Sequence, residues 1–102
     1  MISTTEIPLE DKIRYTKAKV RNIIYYRLEV EPTIEERFRC QYIRVIRGLR
    51  RQIEEFYGSL PEGKNKTFFS GILNIIDPKI KSNECLSTII EMKEYLDTYE
   101  GQ

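Results

Sequence analysis

Apolar residues recur at helical spacing in four stretches of this chain, and no stretch alternates as a half-buried strand would. In the first stretch Leu9, Ile13, Val20, Ile23 and Ile24 share a stripe with Thr16, which predicts a helix over about residues 8–28. Pro8 suits a first helical turn, and Glu10 and Asp11 follow where the helix dipole favours acids. Glu29-Val30-Glu31-Pro32 interrupts the pattern, because the residue before a proline is pushed out of the α region.

The second stretch is the longest. Ile34, Phe38, Tyr42, Val45, Ile46, Leu49, Ile53 and Phe56 mark one face of a helix over residues 34–57. Thr33 and Glu36 have the spacing of a capping box, and Gly58 is a natural residue for a left-handed C-terminal cap. After a turn-rich connection, Phe68, Phe69, Ile72, Leu73 and Ile76 predict a shorter helix over 66–76. Gly71 weakens it and Asp77-Pro78 ends it. Cys85, Leu86, Ile89, Met92, Leu96 and Tyr99 predict a last helix over 83–99, with Ser82 or Asn83 as its cap. The expected fold is therefore all-α. A single domain spanning 1–102 forms an antiparallel bundle of about four helices, the first two making a hairpin about 30–36 Å long.

Composition narrows this picture without changing it. A chain of 102 residues supports one core, and 40% hydrophobic residues exclude a fully disordered chain. No apolar run approaches the roughly 18 residues of a membrane span. The first residues lack the charged and apolar regions of a secretory signal. Cys40 and Cys85 are far apart and outside any C-x-x-C spacing, which favours a reducing compartment. The expected location is the cytoplasm, with no membrane partner.

Charge adds more. The net charge of +1 conceals an asymmetry: residues 1–58 carry 12 basic and 9 acidic side chains, and residues 59–102 carry 5 and 7. All nine arginines lie between Arg14 and Arg51, and arginine is the side chain best suited to gripping phosphate or carboxylate. On the first helix Arg14, Lys17 and Arg21 line one flank of the apolar stripe, and Lys12 and Lys19 the other. On the second, Arg44, Arg47 and Arg51 repeat that spacing opposite the core. Ion pairs are available from Glu10 to Arg14, Glu35 to Arg39, Arg50 to Glu54 and Arg51 to Glu55. Lys17–Arg21 and Arg47–Arg51, by contrast, are like charges at i,i+4, each costing a few tenths of a kcal/mol. A tolerated cost of that kind points to an anionic partner.

Nothing in the chain marks an enzyme. There is no histidine, no glycine-rich phosphate loop and no nucleophile elbow, and the spacing implies neither a cofactor nor a metal. Glu35/Glu36 and Glu54/Glu55 read as cap and surface residues. Cys40, between Arg37 and Arg44, has cations that lower a thiol pKa, but it reads more simply as a small residue at a partly covered position. Of the seven tyrosines, Tyr25, Tyr26, Tyr95 and Tyr99 are placed to stack on bases, although tyrosine at a bundle edge more often closes the core.

Three segments resemble one family, the small subunit of the type III-A CRISPR effector (Csm) complex. They are Lys17-Ala18-Lys19-Val20-Arg21-Asn22-Ile23-Ile24, then Leu49-Arg50-Arg51-Gln52-Ile53 closing at Tyr57-Gly58, then Phe68-Phe69 through Asp77-Pro78-Lys79-Ile80 to Tyr95 and Tyr99. The chain departs from that pattern at Arg51, Ser59 and Glu94, and is shorter than typical members. The resemblance implies a non-catalytic bundle that lies in several copies along RNA, with Lys19, Arg21 and Arg50 on the phosphate backbone. The helical patterns add Arg14, Lys17, Arg44 and Arg47 to that expected contact set. The expected partners are thus RNA and the other subunits of a ribonucleoprotein, with self-association a further option. The alternative is a helical protein-interaction module without nucleic acid, a subunit of a cytosolic complex or a small immunity- or phage-type inhibitor.

Overall fold

A computed structural model of the chain describes residues 7–30 and 39–100. Four α-helices carry them: α1 (Leu9–Tyr25), α2 (Arg39–Tyr57), α3 (Lys64–Ile75) and α4 (Cys85–Glu100). A π-helical turn, Tyr26–Val30, prolongs α1, and a 3-10 turn, Ser82–Glu84, leads into α4. There is no strand among the described residues. The expected all-α bundle is what forms.

Contacts between distant residues fix the topology. The Gln52 amide donates to the buried hydroxyl of Thr16 at 2.8 Å, and Arg27 lies 5.9 Å over the Tyr42 ring, so α1 and α2 run antiparallel. Phe56 meets Phe69 edge-on while Arg50 reaches Leu73 and Ile76, so α2 and α3 do as well. The Tyr99 hydroxyl donates to the carbonyl of Lys64 at 2.6 Å, and Tyr95 bonds the carbonyls of Thr67 and Phe68, which makes α3 and α4 antiparallel. α4 also packs on α1 and closes the bundle.

The core follows the sequence stripes. Val20, Ile46, Leu49, Ile53, Phe68, Phe69, Ile72, Ile76, Ile80, Ile89 and Met92 are essentially inaccessible, and Cys85 joins them as expected. At roughly 1.5–3 kcal/mol for each such side chain taken out of water, this burial is the main force holding the helices together. Val45 differs from its expected place: it lies at the edge of the stripe and stays 38% exposed.

The helix ends also differ in places. The first helix reaches Val30 through the π-helical turn, beyond the expected end near Leu28. Gly58 does not adopt a left-handed cap, since among the described residues Gly63 alone has positive φ. Instead, Ser59 and Leu60 N–H groups donate to the carbonyls of Phe56 and Tyr57, closing α2 by tight i→i+3 bonds. Gly63, at φ 150°, is the residue that admits the chain into α3, a conformation that side chains rarely adopt. The capping box at Thr33 and Glu36, the break at Pro32, the Glu35–Arg39 pair and the surroundings of Cys40 fall outside the described residues and side chains.

Candidate nucleic-acid interface

The seven cations expected on RNA do not share one face. Lys17 turns inward between α1 and α3, donating to Asn65 at 2.8 Å and lying 5.2 Å over the Phe68 ring. Lys19, on the opposite flank, donates to Gln52 at 3.2 Å across the α1–α2 seam. Arg14 pairs with Asp11 at 2.6 Å, one position along from the expected Glu10. Arg14 and Arg21 are both exposed.

Arg50 has a structural task. Its guanidinium donates to the carbonyls of Ile76, at 2.8 Å, and Leu73, at 3.3 Å, and forms the expected ion pair with Glu54 at 3.3 Å. The last carbonyls of a helix lack internal donors and carry the negative end of its dipole, so Arg50 is the C-terminal cap of α3. Sequence spacing placed it among surface cations because its acceptors lie 23 and 26 residues away.

Arg44, Arg47 and Arg51 are exposed on the outer face of α2, as their spacing predicts. Arg47 also donates to the carbonyl of Ile80 at 2.8 Å. That bond matters for charge. Ile80 is buried, whereas its neighbours Lys79 and Lys81 are exposed, so the connection between α3 and α4 brings two lysines to the α2 edge. Sequence reasoning missed both, having no signal that residues 33 positions apart would meet. Among the described residues neither Arg44 nor Arg51 makes an ion pair or side-chain hydrogen bond, and the expected Arg51–Glu55 pair does not form. Of the acids around this edge, Glu54 is held by Arg50, and Asp77 accepts the backbone N–H of Lys79.

A second feature escaped the sequence reading. Arg27 is 8% exposed, and Arg27 and Arg47 both act on the buried thiol of Cys85. Burial pushes that thiol above its usual range, and the two guanidinium charges oppose the rise. The signal was available: Arg27 stands seven residues after Val20, on the apolar stripe itself. Tyr95 and Tyr99, considered above for stacking, spend their hydroxyls on α3, whereas Tyr25 and Tyr26 are 55% and 52% exposed.

Among the described residues no group of three or more histidine, cysteine, aspartate or glutamate side chains is placed to hold a metal ion, and no helix is long and apolar enough to cross a membrane. No protein-family model matches this sequence, and no curated protein and no solved structure is significantly similar to it.

Proposed function

We propose that this chain is a non-catalytic, RNA-backbone-binding subunit of a ribonucleoprotein, the role implied by its resemblance to the type III-A small subunit. Its contact surface is the α2 edge. The observation that carries this reading is the Arg47–Ile80 bond, which adds Lys79 and Lys81 to Arg44, Arg47 and Arg51. Arg44 and Arg51, seven residues apart on one helix face, stand about 10 Å apart along the axis and touch successive parts of a strand. Contacts of this kind go to phosphates, so they are independent of base sequence and weakened by salt.

The test is a paired charge reversal, Arg44→Glu with Arg51→Glu, chosen because neither side chain is engaged elsewhere in the bundle. The double variant keeps the melting temperature and loses RNA affinity. For three to five phosphates on a single strand, the log–log salt slope of the parent protein is about −2 to −3.5. RNA affinity unchanged in the folded double variant sinks the proposal.

A second reading, a protein-interaction module without nucleic acid, draws on α4. There Leu86 and Ile90 are 40% and 41% exposed one turn apart, among Glu84, Glu91 and Glu94, while Asp97 is paired with Lys93 at 2.7 Å. An acidic ridge with an apolar crest suits a basic protein surface, including the α2 edge of a second copy. Salt then acts mainly on the association rate, and the equilibrium slope is shallow.

A further inference from the structure

We infer that the open cleft between α1 and α2 holds one unstacked nucleobase of the RNA strand, whose phosphates lie on Arg44 and Arg51; this rests on the RNA-binding reading above. The cleft measures about 270 Å³ and is walled by Ile23 and Tyr26 from α1 and by Val45 from α2. Asn22, Gln41 and Lys19 supply its polar groups. Drug-sized ligands occupy roughly 300–1,000 Å³, so the space suits a single flat ring system better than a whole nucleotide.

Its chemistry matches a base. Tyr26 and Val45 leave apolar surface in water where two helices otherwise pack closely, and Tyr25 braces the Tyr26 ring edge-on at 5.6 Å. Tyr26 is also where α1 gives way to the π-helical turn, its N–H directed at the carbonyls of both Asn22 and Ile23. Such turns often accompany binding sites because the inserted residue re-aims a side chain. Asn22 and Gln41 are exposed, and their amides offer the donor and acceptor pairs that read base edges. Lys19 bonds Gln52 and has further donors for a base carbonyl or a phosphate.

Continuity with the phosphate edge chooses the occupant. Arg44 stands three residues, one helical turn, after Gln41, and Arg51 one heptad after Arg44, so the cleft opens beside the first of these two cations. Among the described residues no acidic side chain lines it. A strand held at Arg44 has a wall one helical turn away on which to lay a base. A duplex, its bases paired, has none to offer.

The experiment compares the full chain and its Tyr26→Ala variant for binding to a fluorescein-labelled 20-nucleotide single-stranded RNA and to the same RNA as a duplex. Loss of the stacking partner weakens single-strand binding about tenfold, while duplex affinity and melting temperature stay unchanged. Tyr26→Phe restores binding. RNA carrying 4-thiouridine crosslinks to Tyr26, Gln41 or Val45. Equal single-strand affinity in Tyr26→Ala, a parallel loss on duplex, or crosslinks confined to residues outside the cleft each overturn the inference. Failure of the parent protein to bind either RNA at low salt overturns instead the RNA reading on which it rests.

Discussion

Tyr95 lies across α3 at the notch left by Gly71. A methyl group at position 71 would collide with the Tyr95 ring, whose hydroxyl donates to the carbonyls of Thr67 and Phe68 one helical turn earlier. The glycine that weakens the helix in isolation is therefore what lets α4 approach α3. Gly71→Ala forces the ring off its two acceptors, and overpacking of this kind costs about 1–3 kcal/mol. Chemical denaturation checks it, with the usual gain in helix propensity from Gly to Ala reversed in sign.

Arg50 and Arg51 are neighbours with opposite consequences. Arg50→Met leaves the last carbonyls of α3 without a donor and is expected to lower stability by about 1–2 kcal/mol, after allowance for its partial exposure. Arg51→Met, on the outer face, stays within about 0.5 kcal/mol of the parent. Denaturant midpoints of the pair of variants separate a cap from a surface cation.

Alkaline pH offers a third measurement. Burial, and after it the neighbouring Tyr99, raise the Tyr95 hydroxyl above its ordinary value of 10.0. The folded chain therefore keeps this proton where the unfolded chain releases it. Stability from this group is complete below about pH 10 and falls as pH rises through the interval between the unfolded and folded values. Tyr95→Phe is less stable at neutral pH, and its stability declines less between about pH 9 and pH 11 than that of the parent. An identical alkaline decline in both proteins would remove Tyr95 as the source.

Gly63 sets the entry to α3. Its φ of 150° is rarely open to a residue with a side chain, although a methyl group there would meet nothing within 4 Å. Gly63→Ala thus isolates backbone strain from crowding, at an expected cost of about 1–3 kcal/mol. The corresponding change at Gly58, where φ is not positive and the space is also open, is expected to be tolerated.

The four helices were legible because a continuous apolar stripe is a local signal, strongest where Tyr42, Ile46, Leu49, Ile53 and Phe56 repeat without interruption. Outward-facing Arg44, Arg47 and Arg51 were legible for the same reason. The inward uses of Lys17, Lys19 and Arg50 were not, since each is decided by a polar partner on another helix. A long cationic side chain at the margin of a stripe reaches either water or a neighbouring backbone, and periodicity gives both the same angle. Lys79 and Lys81 were hidden by the converse: their place depends on where a connection lands.

The closing contact between α1 and α4 has one more consequence. α1 runs antiparallel to α2, α2 to α3 and α3 to α4, so the beginning of α1 and the end of α4 stand at the same end of the bundle. Every helix thereby has two antiparallel neighbours, and the order in which the chain visits them is interchangeable. Joining α4 to α1 and opening the exposed Gly58–Ser59 turn is expected to keep the helix interfaces. The architecture is that of a closed ring whose seam can be moved.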